Sequence, residues 1–520
     1  MITEEESIAI MSALQVKVEE ERANLTLFLR KCMNTKNLDY IRVNVPPGIG
    51  KSYCTAELPR LYPNFNYLYI VPTHKLAGNI KHDMDAFGIR YMHVKGKKHS
   101  VIRLNPLGDD TVVPLCERPE RDMYYPGCKG CAYKDACEYN QQFKDANRSQ
   151  VVITTIHNIN RFEKSRIVIF DESFDSAMTD KLWIDPEIRN ELVFLETNVT
   201  KCGANNFQFY DSVILQEDFE VHDKNTYFLN LFFSSNTNIH GILTAEGFTI
   251  FGRRKVVMPE NFRKIIFNCA TTSNELMFNI CENPLLYDEC EYGWKIYEPL
   301  HFKSNELQNP VLKFNTGRNT TWSKNYSKFA LKQTFSIFRK WCKPMRLLII
   351  TKKSFVDDIK EYFPEADFVW YGNSRGFNDY NKEYDLILVY GNYGMTPVER
   401  VKLDKLGFDE ETVNLMEKSE ILQSIHRGRP ILHPMVPIAL FTHIKVLPEY
   451  ETTNFKHFLL FNDKYDVKID DKPSLRQLMI RLGYSAKSGN VKTAKHYLRI
   501  REFVEYMLFG RYRLEHGISI

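Results

Sequence analysis

No stretch of this 520-residue chain stays apolar for long. A helix crossing a bilayer needs ~18 or more consecutive apolar residues. The longest run here, Met435 to Phe441, is broken by Pro437 and reads as a buried strand. The N-terminal string MITEEES is acidic and lacks the basic and apolar segments of a secretory leader, so a cytoplasmic protein without a membrane anchor is expected. An excess of one charge is missing too. With 69 Lys and Arg against 65 Asp and Glu, the net charge is +4, which neither requires nor excludes nucleic acid, because a local basic groove matters more than the total. There is no internal repeat and no low-complexity linker. The 11 cysteines are odd in number and seven of them are scattered, as suits reduced thiols rather than a disulfide framework. What remains is ordinary for a globular protein: 43% hydrophobic and 26% charged residues, in a chain long enough for two to four domains. Aromatic content of 13% offers rings for stacking, most of which are expected in the core.

Apolar spacing predicts a helix from about Ser12 to Asn34. Short β-rich runs then alternate with helical stretches: Tyr40 to Val45, Tyr67 to Thr73, Val151 to Ile156, Arg166 to Glu172 and Lys264 to Ser273. A second series begins at Arg346, Asp367, Leu386 and Val436. Such runs separated by helices argue for parallel sheets covered on both faces. The expected class is therefore α/β, with two tandem domains at 1–273 and 274–455 and a basic helical region at 456–520. Two segments fit neither series and are read as insertions into the first domain, at 95–150 and 174–262. A turn at Gly483 gives the C-terminal region a possible helix-turn-helix, with Lys487, Lys492 and Lys495 as its phosphate contacts.

Chemistry enters with VPPGIGKS, Val45 to Ser52. A phosphate loop needs glycines where backbone approaches phosphate, then a lysine, then a hydroxyl for magnesium. Gly48, Gly50, Lys51 and Ser52 meet those needs directly after a strand. RIVIFDES follows at Arg166 to Ser173. Its Asp171 and Glu172 end a strong strand, at the carboxyl edge where ligands bind. Asp171 is expected to hold Mg²⁺ through water and Glu172 to polarise the attacking water. ATP and Mg²⁺ are the implied cofactors.

The phosphate loop resembles the APTGSGKT form of superfamily 2 helicases, and the remaining strings fall in helicase order. VPTHKLAGNI, with Thr73, His74 and Leu76, resembles the segment that touches the nucleic-acid backbone. NCATTSN, with Ala270, Thr271 and Thr272, resembles the segment that couples hydrolysis to strand movement. ITKKS at Ile350 to Ser354 resembles a second backbone contact. Gly372 to Gly391 resembles the segment joining both domains to ATP and DNA, which implies roles for Arg375, Gly376 and Asn378, the last two at the nucleotide. QSIHRGRP at Gln423 to Pro430 resembles the QxxGRxxR segment, implying Gln423 and Arg427 as catalytic residues, with Arg427 reaching the γ-phosphate. The sequence departs from that pattern twice: His426 replaces the glycine, and the second arginine aligns with Pro430, so Arg429, also implied as catalytic, takes that role only with a shift in local geometry.

Cys116, Cys128, Cys131 and Cys137 lie between the phosphate loop and the DE strand, four thiols within 22 residues. Both a [4Fe–4S] cluster and structural Zn²⁺ take four cysteines, and spacing alone does not separate them. An insertion of this kind at this point resembles the XPD and DinG group of iron–sulfur helicases, over roughly residues 40 to 445, and implies the cluster; the second insertion then falls where that group carries its arch domain. The domains would be RecA-like motors. The chain is compact for the group, a size that suits a viral or mobile-element member. Lys129, Lys134, Arg118 and Arg121 could line a pore for one strand, and Tyr124, Tyr125 and Tyr133 could stack bases or pack on the metal shell.

The resemblance implies an ATP-dependent DNA helicase moving 5′ to 3′, monomeric, acting on single-stranded and forked DNA. Two other readings stay open: a zinc-containing translocase that remodels without unwinding, and a DNA-binding protein whose motor strings are relics. Intact Lys51, Asp171 and Glu172 argue against the last.

Overall fold

The structure, a computed structural model, describes residues 4–35, 39–46, 48–74, 76–95, 137–162, 166–171, 179–202, 205–222, 224–244, 247–255, 262–269, 294–301, 309, 311–314, 335, 346–372, 384–391, 393–433, 436 and 438–441. The C-terminal helix-turn-helix and the segment carrying Cys116, Cys128 and Cys131 lie outside them.

Three sheets form among the described residues. The first holds β1 (Asp39–Val43), β2 (Tyr67–Val71), β3 (Met92–His93), β4 (Val151–Thr155), β5 (Ile167–Asp171), β11 (Lys264–Asn268) and β12 (Trp294–Tyr297). Their order is β12-β1-β11-β5-β2-β4-β3, and every pairing is parallel. Residues alternate between two cores. Tyr67, Tyr69, Ile153, Ile169 and Ile266 join one cluster with Leu14, Val18, Leu25 and Leu29 of α1 (Glu4–Met33). Leu68, Ile70, Val152, Phe170 and Phe267 join the other, with Tyr139, Phe143 and Ala146 of α5 (Glu138–Arg148). A strand buried on both faces has no use for polar residues, which is why these read as unbroken apolar runs. On the first face also lie α2 (Lys51–Ala56), α3 (Leu58–Leu61) and α4 (Ala77–Ala86).

The first boundary moves. A division at residue 273 puts β12 in the second domain, but it pairs in register with β1, Tyr40 opposite Trp294 and Val43 opposite Tyr297. Four residues with a lysine in the middle do not announce a strand; the pairing comes from β1. The expected 95–150 insertion is shorter at its far end, because α5 packs into the core of the first sheet.

The 174–262 segment is a β unit. β6 (Thr179–Ile184), β7 (Leu192–Cys202), β8 (Asn205–Leu215), β9 (Asn236–Thr244) and β10 (Gly247–Arg254) form an antiparallel sheet ordered β6-β10-β9-β8-β7, with α6 (Lys224–Ser235) against it.

The last sheet is parallel and ordered β13-β17-β16-β14-β15: β13 (Val311–Phe314), β14 (Leu347–Thr351), β15 (Asp367–Trp370), β16 (Leu386–Tyr390) and β17 (Ile438–Phe441). α7 (Val356–Lys360), α8 (Pro397–Lys405) and α9 (Glu410–His426) complete this unit, and Ile421, Leu422 and Ile425 of α9 pack on its sheet. Two parallel α/β units in tandem is the architecture expected from the sequence.

Both ends of α9 follow from its residues. Asp409 caps the start, its carboxylate accepting from Thr412 N at 2.7 Å. At the other end Gly428 passes so close to the sheet that a Cβ there would lie 2.7 Å from Ile387 Cδ1. That close approach fixes the distance from helix end to sheet, and with it the side chains just before the glycine.

Candidate functional site

The loop after β1 turns twice through backbone only glycine adopts freely. Gly48 has φ +100° and Gly50 φ +107°. Lys51, the first residue of α2, donates Nζ to Val45 O at 2.8 Å, folding back across the loop. Ser52 donates Oγ to Asp171 Oδ1 at 2.7 Å, across 119 residues of chain. Asp171 is the last residue of β5 and is 5% exposed, so its carboxylate stands at the carboxyl edge of the sheet. A serine hydroxyl against one aspartate oxygen is a donor set that suits a hard divalent cation with several water ligands, as Mg²⁺ prefers.

Sequence reasoning missed Asn268, the last residue of β11. Its Nδ2 donates to Thr55 Oγ1 at 2.7 Å and to Asp171 Oδ1 at 3.3 Å, tying the acidic strand to the phosphate-loop helix. Tyr69 OH donates to Thr55 O at 2.7 Å, and burial pushes its phenol well above the usual range. Arg22 of α1 was also missed. Its Nε donates to Ile49 O, and a Cβ on Gly50 would lie 2.9 Å from that nitrogen. The signal was weak: a charged pair, Glu21 and Arg22, within the buried stripe of a long helix. Glu21 is fully buried and accepts from Tyr297 OH, Leu300 N and His301 N, which fixes α1 over the loop.

The second unit closes the site. A cleft of about 310 Å³ is lined by Arg22, Gly48, Gly50, Lys51, Ser52 and Asp171 on one side and by Gln423, His426, Arg427 and Arg429 on the other. Gln423 and His426 are buried at the end of α9. Arg429 sits at φ +47°, a left-handed turn that brings its side chain to the cleft although it is one residue short of the aligned position. Burial, and then the neighbouring Arg22 and Arg427, pull its guanidinium below the usual range. Ile431 approaches Gly48 so closely that a Cβ there would meet its Cγ2 at 3.1 Å. Three arginines and a lysine outnumber the two aspartates that line the cleft, Asp83 and Asp171, an excess of positive charge that suits an anion.

Eight expected residues therefore meet in one cleft: Gly48, Gly50, Lys51, Ser52, Asp171, Gln423, Arg427 and Arg429. Leu76 lines it as well, while His74 turns to His93, Nδ1 to Nε2 at 3.2 Å. Thr351 of the ITKKS string donates to Tyr390 O at 3.0 Å, within its own sheet. Glu172, Ala270, Thr271, Thr272, Arg375, Gly376 and Asn378 lie outside the described residues. Of the four clustered cysteines only Cys137 is described; it is buried at the start of α5, in the core on the opposite face of the sheet from α2.

No protein-family model matches the chain, and no curated protein matches it. Among solved structures it is similar to an Xpd4 from S. tokodaii, at 9% identity over 90% of this chain and 98% of that one, with a TM-score of 0.44. An XPD helicase aligns at 11% identity over 84% and 97%, TM-score 0.49. RecG bound to a three-way DNA junction aligns at 11% identity over 94% of this chain and 50% of that one, TM-score 0.36.

Proposed function

We propose that this chain is a nucleic-acid motor driven by ATP hydrolysis, acting as a DNA helicase. The observation that carries the reading is the cleft itself, in which Lys51, Ser52 and Asp171 of one parallel α/β unit face Gln423, Arg427 and Arg429 of the other. In the proposed cycle Lys51 leaves Val45 O for the terminal phosphates. Ser52 and Asp171 would hold Mg²⁺, which when bound would supply charge neutralisation at the phosphates. Glu172 orients the attacking water, and Gln423 senses it from across the cleft. Arg427, with Arg429 beside it, stabilises the charge that develops on the γ-phosphate as its bond to the leaving oxygen breaks. Gly376 and Asn378 contribute from the second unit. Closing on ATP and opening after hydrolysis would step the units along single-stranded DNA, in the 5′ to 3′ direction that the sequence resemblance implies, with forked DNA as substrate and a monomer as the working form.

Cys116, Cys128, Cys131 and Cys137 would hold the metal of the insertion, a [4Fe–4S] cluster. The chemistry of four thiols supports either that cluster or Zn²⁺, and zinc goes with the second reading, a translocase that remodels without unwinding. Iron and zinc content of anaerobically purified protein separates the two.

The motor itself is tested by ATP turnover with and without single-stranded DNA. Wild type is expected to be DNA-stimulated, and Lys51→Ala to fall by at least ~10²-fold, because it loses the charge on the transferring phosphoryl group. Turnover unchanged in the folded variant would sink the assignment.

A further inference from the structure

His426 stands where the QxxGRxxR pattern has glycine, and no role falls to it in the proposed cycle. It is 6% exposed, and its Nδ1 is buried with no hydrogen-bond partner among the described residues. A buried polar atom left unpaired is costly, and glycine at this position would avoid the cost. The orphan nitrogen therefore points to a partner that arrives with the ligand.

Its neighbours say which part of the ligand. Gln423, His426 and Arg427 recur at three- and four-residue spacing, so they share one side of the end of α9. The charged group acting most strongly on the imidazole is Lys51 of α2, followed by Arg427. Arg22 from α1, Arg429 from the turn after α9 and Asp171 from β5 line the same cleft. Lys51 and Arg427 both address the terminal phosphates, so the imidazole stands over the phosphate end of the site rather than the base. Burial, Lys51 and Arg427 all disfavour a charged ring, and an uncharged imidazole can still donate through one nitrogen.

We propose that His426 donates a hydrogen bond from Nδ1 to the γ-phosphate of a bound nucleoside triphosphate, and that this contact makes the cleft distinguish triphosphate from diphosphate. The proposal rests on the nucleotide reading of the cleft. It fixes the tautomer, with hydrogen on Nδ1.

The test is titration calorimetry with Mg·ADP and with Mg·AMP-PNP, a non-hydrolysable triphosphate. Three variants separate shape from hydrogen bonding. Asparagine places an amide nitrogen near the position of Nδ1, glutamine places one near Nε2, and leucine keeps much of the volume with no donor. A hydrogen bond to a charged acceptor is worth roughly 10- to 100-fold in affinity. His426→Leu and His426→Gln are expected to lose that much for AMP-PNP while ADP affinity stays within about twofold, because ADP has no γ-phosphate to lose the contact. His426→Asn is expected to keep most of the triphosphate preference. Equal ratios in the asparagine and glutamine variants, or parallel losses for both nucleotides, overturn the proposal, and the asparagine–glutamine pair decides even if the leucine variant does not fold. Lys51→Ala is titrated alongside. Binding of both nucleotides by that variant at wild-type strength would mean that the cleft reading has failed. Loss of binding there, with no discrimination at His426, would remove the histidine alone.

Discussion

Burial has a pH signature at single residues. His157, His240 and His426 all have imidazoles pushed below their ordinary range, first by burial; His426 is held down to about 3. An unfolded chain protonates such a histidine near pH ~6.5, whereas folded His426 does not until about pH 3. Below pH ~6.5 the unfolded state therefore binds more protons, and stability falls with acidification, by at most ~1.4 kcal/mol per pH unit for each group. Above that value the contribution is complete. Thermal unfolding followed from pH 7 to pH 5 is expected to show a falling midpoint, with a shallower slope in His426→Leu. An identical slope in that variant would mean that the imidazole titrates normally. The residues of the phosphate loop were legible in the sequence because each has a fixed local job. Arg22 and Asn268 were not, since their roles come from sheet and helix packing rather than from neighbours in the chain.

At the level of elements, one side chain fastens the first sheet from within. Arg166, just before β5, is 1% exposed, and burial lowers its guanidinium to about 10. It donates to Ala146 O at 2.9 Å, and to Tyr67 O and Ser149 O at 3.2 Å, joining α5, β2 and the turn between α5 and β4. Arg166→Ala would leave these buried carbonyls unsatisfied at a cost of roughly 2–5 kcal/mol. Denaturant unfolding of a folded variant should show that loss; a change under ~1 kcal/mol would mean that water replaces the guanidinium. The elements that could be read were those buried on both faces, such as YLYIV and LILVY, where composition alone marks the strand. The insertion sheet was not readable. β8, NNFQFYDSVIL, and β9, NTNIHGILT, carry polar residues among the apolar ones, so neither strict alternation nor a continuous run appears. β12 and β13 are four residues each and take their form from the neighbour they join.

At the scale of the whole molecule, the insertion belongs by chain to the first unit and by packing to the second as well. Phe209, Ile242 and Phe251 of its sheet share a core with Leu403, Leu406, Phe408, Val413 and Met416 of the second unit. Lys405 pairs with Asp211, Lys402 Nζ lies 5.7 Å from the ring centre of Phe251, and Arg253 lies 5.3 Å from that of Phe408. This contact is remote in sequence from the phosphate loop, yet it bears on α9, which carries Gln423 and His426 and is capped by Arg427. Phe251→Ala is expected to cost about 3–4 kcal/mol in stability and to weaken AMP-PNP binding without touching any residue of the cleft. Unchanged affinity in the folded variant would show that the sheet supports the second unit without setting its position.

The same sheet determines how force travels. Asp211 and Phe209 sit on β8, and Phe251 and Arg253 on β10; in the order β6-β10-β9-β8-β7 both are interior strands, each with an antiparallel neighbour on either side. A push from the second unit thus enters the ladder between paired strands and loads many hydrogen bonds together in shear, where an edge strand would peel away one bond at a time. Under such a load the sheet would behave as a stiff plate rather than as a stretching connector.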